Sequence, residues 1–174
     1  MLGSRMLLPA GHVAGQTGAV PRASAGILLH RVRGGVLEVL IGHPGGPFWV
    51  RRDEGAWTIP KGEYGPGEDP WDAARREFAE ELGCPPPDGP RSDLGSLRQP
   101  GGKILTVFAV CADLDLGAVH SNTFTLEWPR DSGTLREFEE LDRVAWLPAA
   151  AARPKLLAGQ RGFLDRLAGQ TDRR

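Results

Sequence analysis

Cysteine is nearly missing from this 174-residue chain: Cys84 and Cys111 are the only two. That excludes a disulfide framework and a thiolate zinc site. The four histidines (His12, His30, His43 and His120) are scattered and show no metal-ligand spacing. An excess of either charge is also lacking, with a formal net charge of −1. Bulk electrostatic binding of DNA or RNA is therefore not expected, although a small polyanion can still be held by a local cluster or a metal. No apolar run approaches the roughly 18 to 20 residues that span a bilayer. Met6-Leu7-Leu8, before Pro9, is shorter than the apolar core of about 7 to 15 residues in a secretory signal. No membrane partner is expected, and a cytoplasmic protein is the default expectation.

Glycine and proline, by contrast, are plentiful, at 24 and 15 residues, and forecast many turns. With 40% hydrophobic and 25% charged residues, the composition is that of a soluble globular domain long enough to bury a core. Residues 1–22 are rich in Gly, Ala and Pro without periodicity and read as a loose tail, in which Met6 is an alternative start. A single domain is expected over 23–168, with a short C-terminal tail at 169–174. Ala25 to Val32 and Val36 to Gly42 read as a hairpin across Arg33-Gly34-Gly35. Leu94 to Gln99 and Lys103 to Asp113 form a second strand pair across Pro100-Gly101-Gly102. Asn122 to Trp128 and Val144 to Leu147 are further strands, and Ala149 to Leu157 and Gly162 to Leu167 have helical composition. The pattern is a mixed sheet with helices packed on it.

The most informative stretch is a glycine loop followed by a helix, Pro60 to Cys84. Asp69 is a good N-cap, and Pro70 suits the first helical position, where its missing N–H costs nothing. Gly83 is a natural stop, so a helix is predicted over Pro70 to Leu82. Wound at about 100° per residue, it stacks Trp71, Ala74, Phe78 and Leu82 on one core-facing stripe. Glu77, Glu80 and Glu81 fall together on another face. Three neighbouring carboxylates destabilise a helix unless a cation sits among them, and hard divalent ions prefer oxygen ligands. Arg76, one residue away, is placed to orient a carboxylate. Taken alone, this face is equally that of an ordinary solvated acidic helix; the preceding loop decides the matter.

Gly62, five residues, Glu68, seven residues, then Arg76-Glu77-Phe78-Ala79-Glu80-Glu81-Leu82-Gly83-Cys84 resembles the Nudix box, G-x5-E-x7-R-E-U-x-E-E-x-G-U, at every fixed position. The resemblance implies an α/β (α+β) fold: a Nudix-type α/β/α sandwich with a mixed central sheet and a loop-helix-loop catalytic motif. It implies Mg²⁺ or Mn²⁺ held by Glu77, Glu80 and Glu81, with the backbone at Lys61 and Gly62 offering a carbonyl. It implies that Arg76 holds Glu77, and that Glu68 ties the loop to the helix. Gly62 and Gly83 support the loop. Many relatives use a further carboxylate before the last strand. Glu137, Glu139 and Glu140 are available in what reads as an acidic loop, and Glu140 is favoured, also as a metal or base residue. The implied reaction is hydrolysis of a phosphoanhydride by metal-activated water, with a glutamate (Glu77 or an outlying one) taking the proton. No Ser/His/Asp or Cys/His constellation points to a covalent intermediate.

The box leaves the substrate open. Pro60-Lys61-Gly62 with Pro66-Gly67-Glu68 is similar to diadenosine polyphosphate hydrolases and to enzymes that clear oxidised nucleoside triphosphates. Against the first, the only tyrosine is Tyr64, inside the box. Pro100 stands about where ADP-ribose-cleaving relatives carry a proline, yet a Gly-rich turn explains it equally. The sequence that marks NADH pyrophosphatases after the box is lacking. Lys61, Lys103 and Arg98 are candidates for phosphate binding, Trp49, Trp57 and Trp128 for stacking on a base, and residues 121–133 for shaping the mouth. The leading expectation is a small nucleotide substrate (nucleoside triphosphate or dinucleoside polyphosphate), with ADP-ribose or another nucleotide sugar as the alternative and a homodimer as an option. A non-catalytic nucleotide sensor is the different-class rival, although it normally goes with a damaged box. RNA-end processing would call for a basic groove that the near-neutral charge does not support.

Overall fold

The computed structural model of the chain describes residues 22–171. The expected N-terminal tail before Arg22, the alternative start at Met6, and residues 172–174 lie outside them. Eight strands and three α-helices are described: β1 (Ala23–Arg33), β2 (Val36–Pro44), β3 (Lys61–Tyr64), α1 (Pro70–Leu82), β4 (Arg91–Arg98), β5 (Ile104–Cys111), β6 (Thr123–Glu127), β7 (Leu135–Glu139), β8 (Leu141–Pro148), α2 (Ala149–Lys155) and α3 (Arg161–Thr171).

The main sheet runs β4-β5-β1-β2-β8, with β3 also paired to β1. It is mixed: β1 runs parallel to β5 and antiparallel to β2 and β3. On the side of β1 away from β5, the partners split. β2 pairs with residues 30–33 and then leaves to join β8, while β3 pairs with Ala23 to Gly26. The gap is bridged by Ile27 N–H donating to the Pro60 carbonyl at 3.1 Å and by reciprocal hydrogen bonds between Gly42 and Thr58. This close approach requires Gly26, because a β-carbon there would lie 2.6 Å from the Pro60 oxygen.

The alternation of β1 sends its side chains to two cores. Ala25, Ile27 and Leu29 meet Ala73, Ala74, Phe78 and Leu82 of α1 on one face. Leu28 joins Ala152, Leu156, Phe163, Leu164 and Leu167 on the other. The result is the expected α/β/α arrangement, with α1 packed on one face of the sheet and α2 and α3 on the other.

Four local expectations need correction. Lys61 to Tyr64, read as loop, is the strand β3, made by pairing with β1. Much of the supposed acidic loop at 136–141 is the strand β7, which pairs with β6 in a separate two-stranded sheet. Only Glu140 lies between β7 and β8. The supposed C-terminal tail begins inside a helix, since α3 continues to Thr171. The helix begun at Ala149 ends at Lys155, two residues short of the expected end.

Candidate active site

The site is built on α1. Asp69 caps it by accepting from the N–H groups of Trp71 and Asp72 at 2.9 and 3.1 Å. Pro70 occupies the first turn, and Gly83 ends the helix at φ 69° with its N–H on the Ala79 carbonyl. Gly83 has no room for a side chain, since a β-carbon there would lie 2.1 Å from the His120 oxygen. These locks fix the rotation of the helix, so burial of Ala74, Phe78 and Leu82 in the sheet turns the glutamates toward β3 and the β7–β8 connection.

Arg76 is the hub of the loop-helix motif. Its Nε donates to Glu68 Oε1 at 2.9 Å and its Nη2 to Glu68 Oε2 at 3.2 Å, a two-point grip on the loop. Nη2 also reaches the Glu63 carbonyl at 3.3 Å. Nη1 donates to Glu77 Oε1 at 2.6 Å and, more weakly, to Glu80 Oε1 at 3.4 Å. The acidic partners raise the Arg76 pKa further, so the cation is permanent.

Glu77 is largely buried and rests against Gly62. Glu81 accepts from the Lys61 backbone N–H at 3.0 Å through Oε2. Burial raises its pKa to about 7, against the pull of the Lys61 charge and N–H, with Glu140 and Glu77 adding repulsion. Glu140 is raised by burial and by the charges of Glu77 and Glu80. The structure thus brings Glu140 into the field of the α1 carboxylates from a distant part of the chain. Glu137 turns instead to the Thr123 hydroxyl, and Glu139 lies exposed at the end of β7.

The other sequence candidates are distributed unevenly. The Lys61 backbone is at the site. Lys103 is engaged elsewhere, its Nζ 2.5 Å from Glu63 Oε1, where Arg22 Nη2 also binds at 2.5 Å. Both cations hold the Glu63 carboxyl below its ordinary pKa. Arg98 is exposed at the end of β4, its guanidinium beside Gly102. Trp57 is no stacking surface: it is 5% exposed, packed in the core, and donates from Nε1 to Asp53 at 2.8 Å. Trp49 packs against that core, with Arg52 over its ring. Trp128 is half-buried and meets Phe48 edge-to-face at 5.4 Å.

Sequence reasoning missed His43. It is fully buried; its Nε2 donates to the Arg52 carbonyl at 2.7 Å, and its Nδ1 lies 2.6 Å from Asp142 Oδ1. It pins the segment after β2 to β8, two residues from Glu140. No local spacing carries that signal, because the partners lie 99 residues apart.

The donor set can be tested against a divalent cation. Among the described residues, no three His, Cys, Asp or Glu side chains converge as a ready metal cage. Glu77 is turned onto Arg76, and Glu81 onto the Lys61 N–H. The chemistry nevertheless fits: the donors are carboxylate oxygens, and the burial and like charge that together raise Glu81 and Glu140 are offset by added positive charge.

A family model described as NUDIX domain matches residues 20–167. Among solved structures, a Caenorhabditis elegans Ap4A hydrolase, in a binary complex, is similar with TM-score 0.59 and 21% identity, over 87% of this chain and 99% of that one. The NUDIX domain of Shewanella oneidensis NrtR, complexed with ADP ribose, has TM-score 0.59 and 15% identity over 87% and 89%. The Nudix hydrolase RenU of Mycobacterium smegmatis has TM-score 0.54 and 20% identity over 87% and 86%. A search of curated proteins found no match. No helix among the described residues is long and apolar enough to cross a membrane.

Proposed function

The chain belongs to the Nudix family of pyrophosphohydrolases, and from that premise we propose that it hydrolyses a phosphoanhydride bond in a nucleoside triphosphate or dinucleoside polyphosphate, using Mg²⁺ or Mn²⁺. The observation that carries this reading is the meeting of carboxylates from two separate segments, Glu77, Glu80 and Glu81 on α1 with Glu140 between β7 and β8. Their mutual repulsion makes sense where cations and phosphates complete the charge balance.

In this reading Glu77, Glu80 and Glu81 would hold the cation, with the Lys61–Gly62 backbone beside them. A divalent ion held there would neutralise the phosphate oxygens and make water a better nucleophile. Arg76 fixes the direction of Glu77 and of the loop through Glu68. Lys61 places a positive charge beside the phosphates. Glu140, held above its ordinary pKa and exposed, takes the proton from the attacking water. The water oxygen bonds to phosphorus as the bridging P–O bond breaks, and the electron pair leaves on the departing phosphate. The products are a nucleoside monophosphate with pyrophosphate, or another pair of phosphate-bearing fragments.

The test is a hydrolysis panel with Mg²⁺ or Mn²⁺, covering NTPs, dNTPs, oxidised dGTP, diadenosine polyphosphates, ADP-ribose and NADH, ranked by kcat/KM. Both Ap4A and ADP-ribose belong in it, since they stand in the names of the similar structures. Hydrolysis that EDTA abolishes, and that Glu81→Gln lowers by orders of magnitude in a folded protein, is the expected result. Ligand binding with no turnover on any compound would instead identify a sensor.

A further inference from the structure

A cleft of about 440 Å³ opens between the segment at 46–50 and the β6–β7 hairpin, lined by Pro47, Val50, Trp128 and Phe138, with Arg136 and Glu139. Phe48 stands 54% exposed beside it and Val50 62% exposed on its wall. Such apolar exposure is costly unless something covers it. The backbone carrying these side chains is held at several points. Gly45 N–H donates to the Glu140 carbonyl at 2.9 Å, and His43 grips the Arg52 carbonyl. Trp57 Nε1 and Lys155 Nζ both bind Asp53. The aromatic surface is thus preformed. The carboxylate cluster is one residue away in the chain: Glu139 lines the cleft, and the next residue, Glu140, lies in the field of Glu77 and Glu80.

We infer that this cleft binds the nucleobase of the substrate, with Phe48 and Trp128 as its stacking surfaces, while the phosphates extend past Glu140 to the carboxylates of α1. The inference rests on the nucleotide reading of the active site and adds its specificity determinants. A cleft of a few hundred cubic ångströms, largely apolar with a few polar groups, suits a flat heterocycle. Edge-to-face packing of Phe48 on Trp128 leaves ring faces for a base to cover. The Arg136 side chain makes no hydrogen bond or ion pair among the described residues and is available to the ribose or a phosphate.

The decisive measurement is equilibrium binding, by calorimetry with Mg²⁺, of bis-methylene analogues of ATP and GTP, which cannot be hydrolysed. Methylenediphosphonate supplies phosphonates without a base. Phe48→Ala and Trp128→Ala should each raise the nucleotide Kd roughly tenfold or more and leave methylenediphosphonate binding unchanged. Trp128→Phe should retain most of the affinity. Leu135→Ala, which removes a 71% exposed side chain outside the cleft, is the control and should not change it. Phe48 is exposed, so its variant decides the question if Trp128→Ala fails to fold. Unchanged nucleotide affinity in Phe48→Ala, or wild-type binding no tighter with a base than without one, overturns the inference. Hydrolysis in the separate panel with no effect of Phe48→Ala on nucleotide binding would leave the activity standing and remove this base site. Binding through Phe48 without hydrolysis of any compound would do the reverse.

Discussion

The Glu77 carboxylate occupies the space that a side chain on Gly62 would need: a β-carbon built on the glycine falls 1.7 Å from Oε2 and 1.9 Å from Cδ. Gly62 is also paired with Ala25 in the β3–β1 ladder, so the backbone cannot retreat without breaking sheet hydrogen bonds. In Gly62→Ala either Glu77 swings away or β3 lifts from β1. The expected cost is on the order of 1–3 kcal/mol of stability. Turnover should fall far more than that loss explains, because either change breaks the seat of Glu77 against the Lys61–Gly62 backbone. Denaturant unfolding alongside kcat at saturating Mg²⁺ checks this; an active, equally stable variant would refute the packing argument.

Arg76 makes four separate contacts that a lysine cannot reproduce: the two-point grip on Glu68, Glu77, Glu80 and the Glu63 carbonyl. Arg76→Lys keeps the charge and loses the fork. Turnover should drop by roughly one to two orders of magnitude, with a higher Mg²⁺ concentration needed for half-maximal rate. Because the arginine is exposed, the melting temperature should move little. Metal titrations of the rate at fixed substrate give the answer, and a lysine variant with wild-type metal dependence would show that the fork is dispensable.

How much of this was legible in the sequence depends on the distance over which each feature is specified. The limits of α1 follow from Asp69, Pro70 and Gly83, all local signals, and the structure ends the helix at those residues. The first hairpin is equally local, with Gly34 and Gly35 at φ 57° and 77°. In contrast, Lys61-Gly62-Glu63-Tyr64 has no apolar alternation and becomes a strand only through its partner β1. Leu135 to Glu139 is charged and exposed, and reads as loop until β6 is beside it. The site divides the same way. Helical spacing groups the α1 glutamates, whereas the Arg22–Glu63–Lys103 and His43–Asp142 contacts join residues far apart in the chain.

Glu81 makes the metal-free protein sensitive to pH in a defined direction. Its pKa rises from 4.5 to about 7 on folding, so between those values the folded chain binds a proton that the unfolded chain releases. This contribution to stability is complete below about 4.5 and is lost as pH rises through about 7. Glu140 acts in the same sense. Glu63 and Asp113, whose pKa values fall on folding, act oppositely at lower pH, so the comparison must be with Glu81→Gln. In EDTA the stability advantage of Glu81→Gln over wild type should grow from pH 5 to pH 8. A divalent cation competes with the proton, so Mg²⁺ binding below pH 7 should release protons, seen as a buffer-dependent calorimetric enthalpy. A pH-independent difference between the two proteins would contradict the assigned environment.

His43 ties the chain around Arg52 to Asp142 of β8. Its ring is fully buried, donates to the Arg52 carbonyl and lies against Asp142, while also meeting Trp57 edge-on at 5.3 Å. His43→Ala strands the Arg52 carbonyl and leaves a void, so a loss of about 2–4 kcal/mol is expected. The segment carrying Phe48 and Val50 loses one anchor, and Asp142, two residues from Glu140, keeps only the longer contact to Arg143 at 3.4 Å. His43→Gln preserves a donor toward Arg52 and should recover part of the stability. If the segment is the floor of the base site, the partly rescued variant should raise KM for the preferred nucleotide several-fold more than it lowers kcat. A kcat loss with unchanged KM would instead place the effect of His43 on Glu140, and the split between the two constants distinguishes these routes.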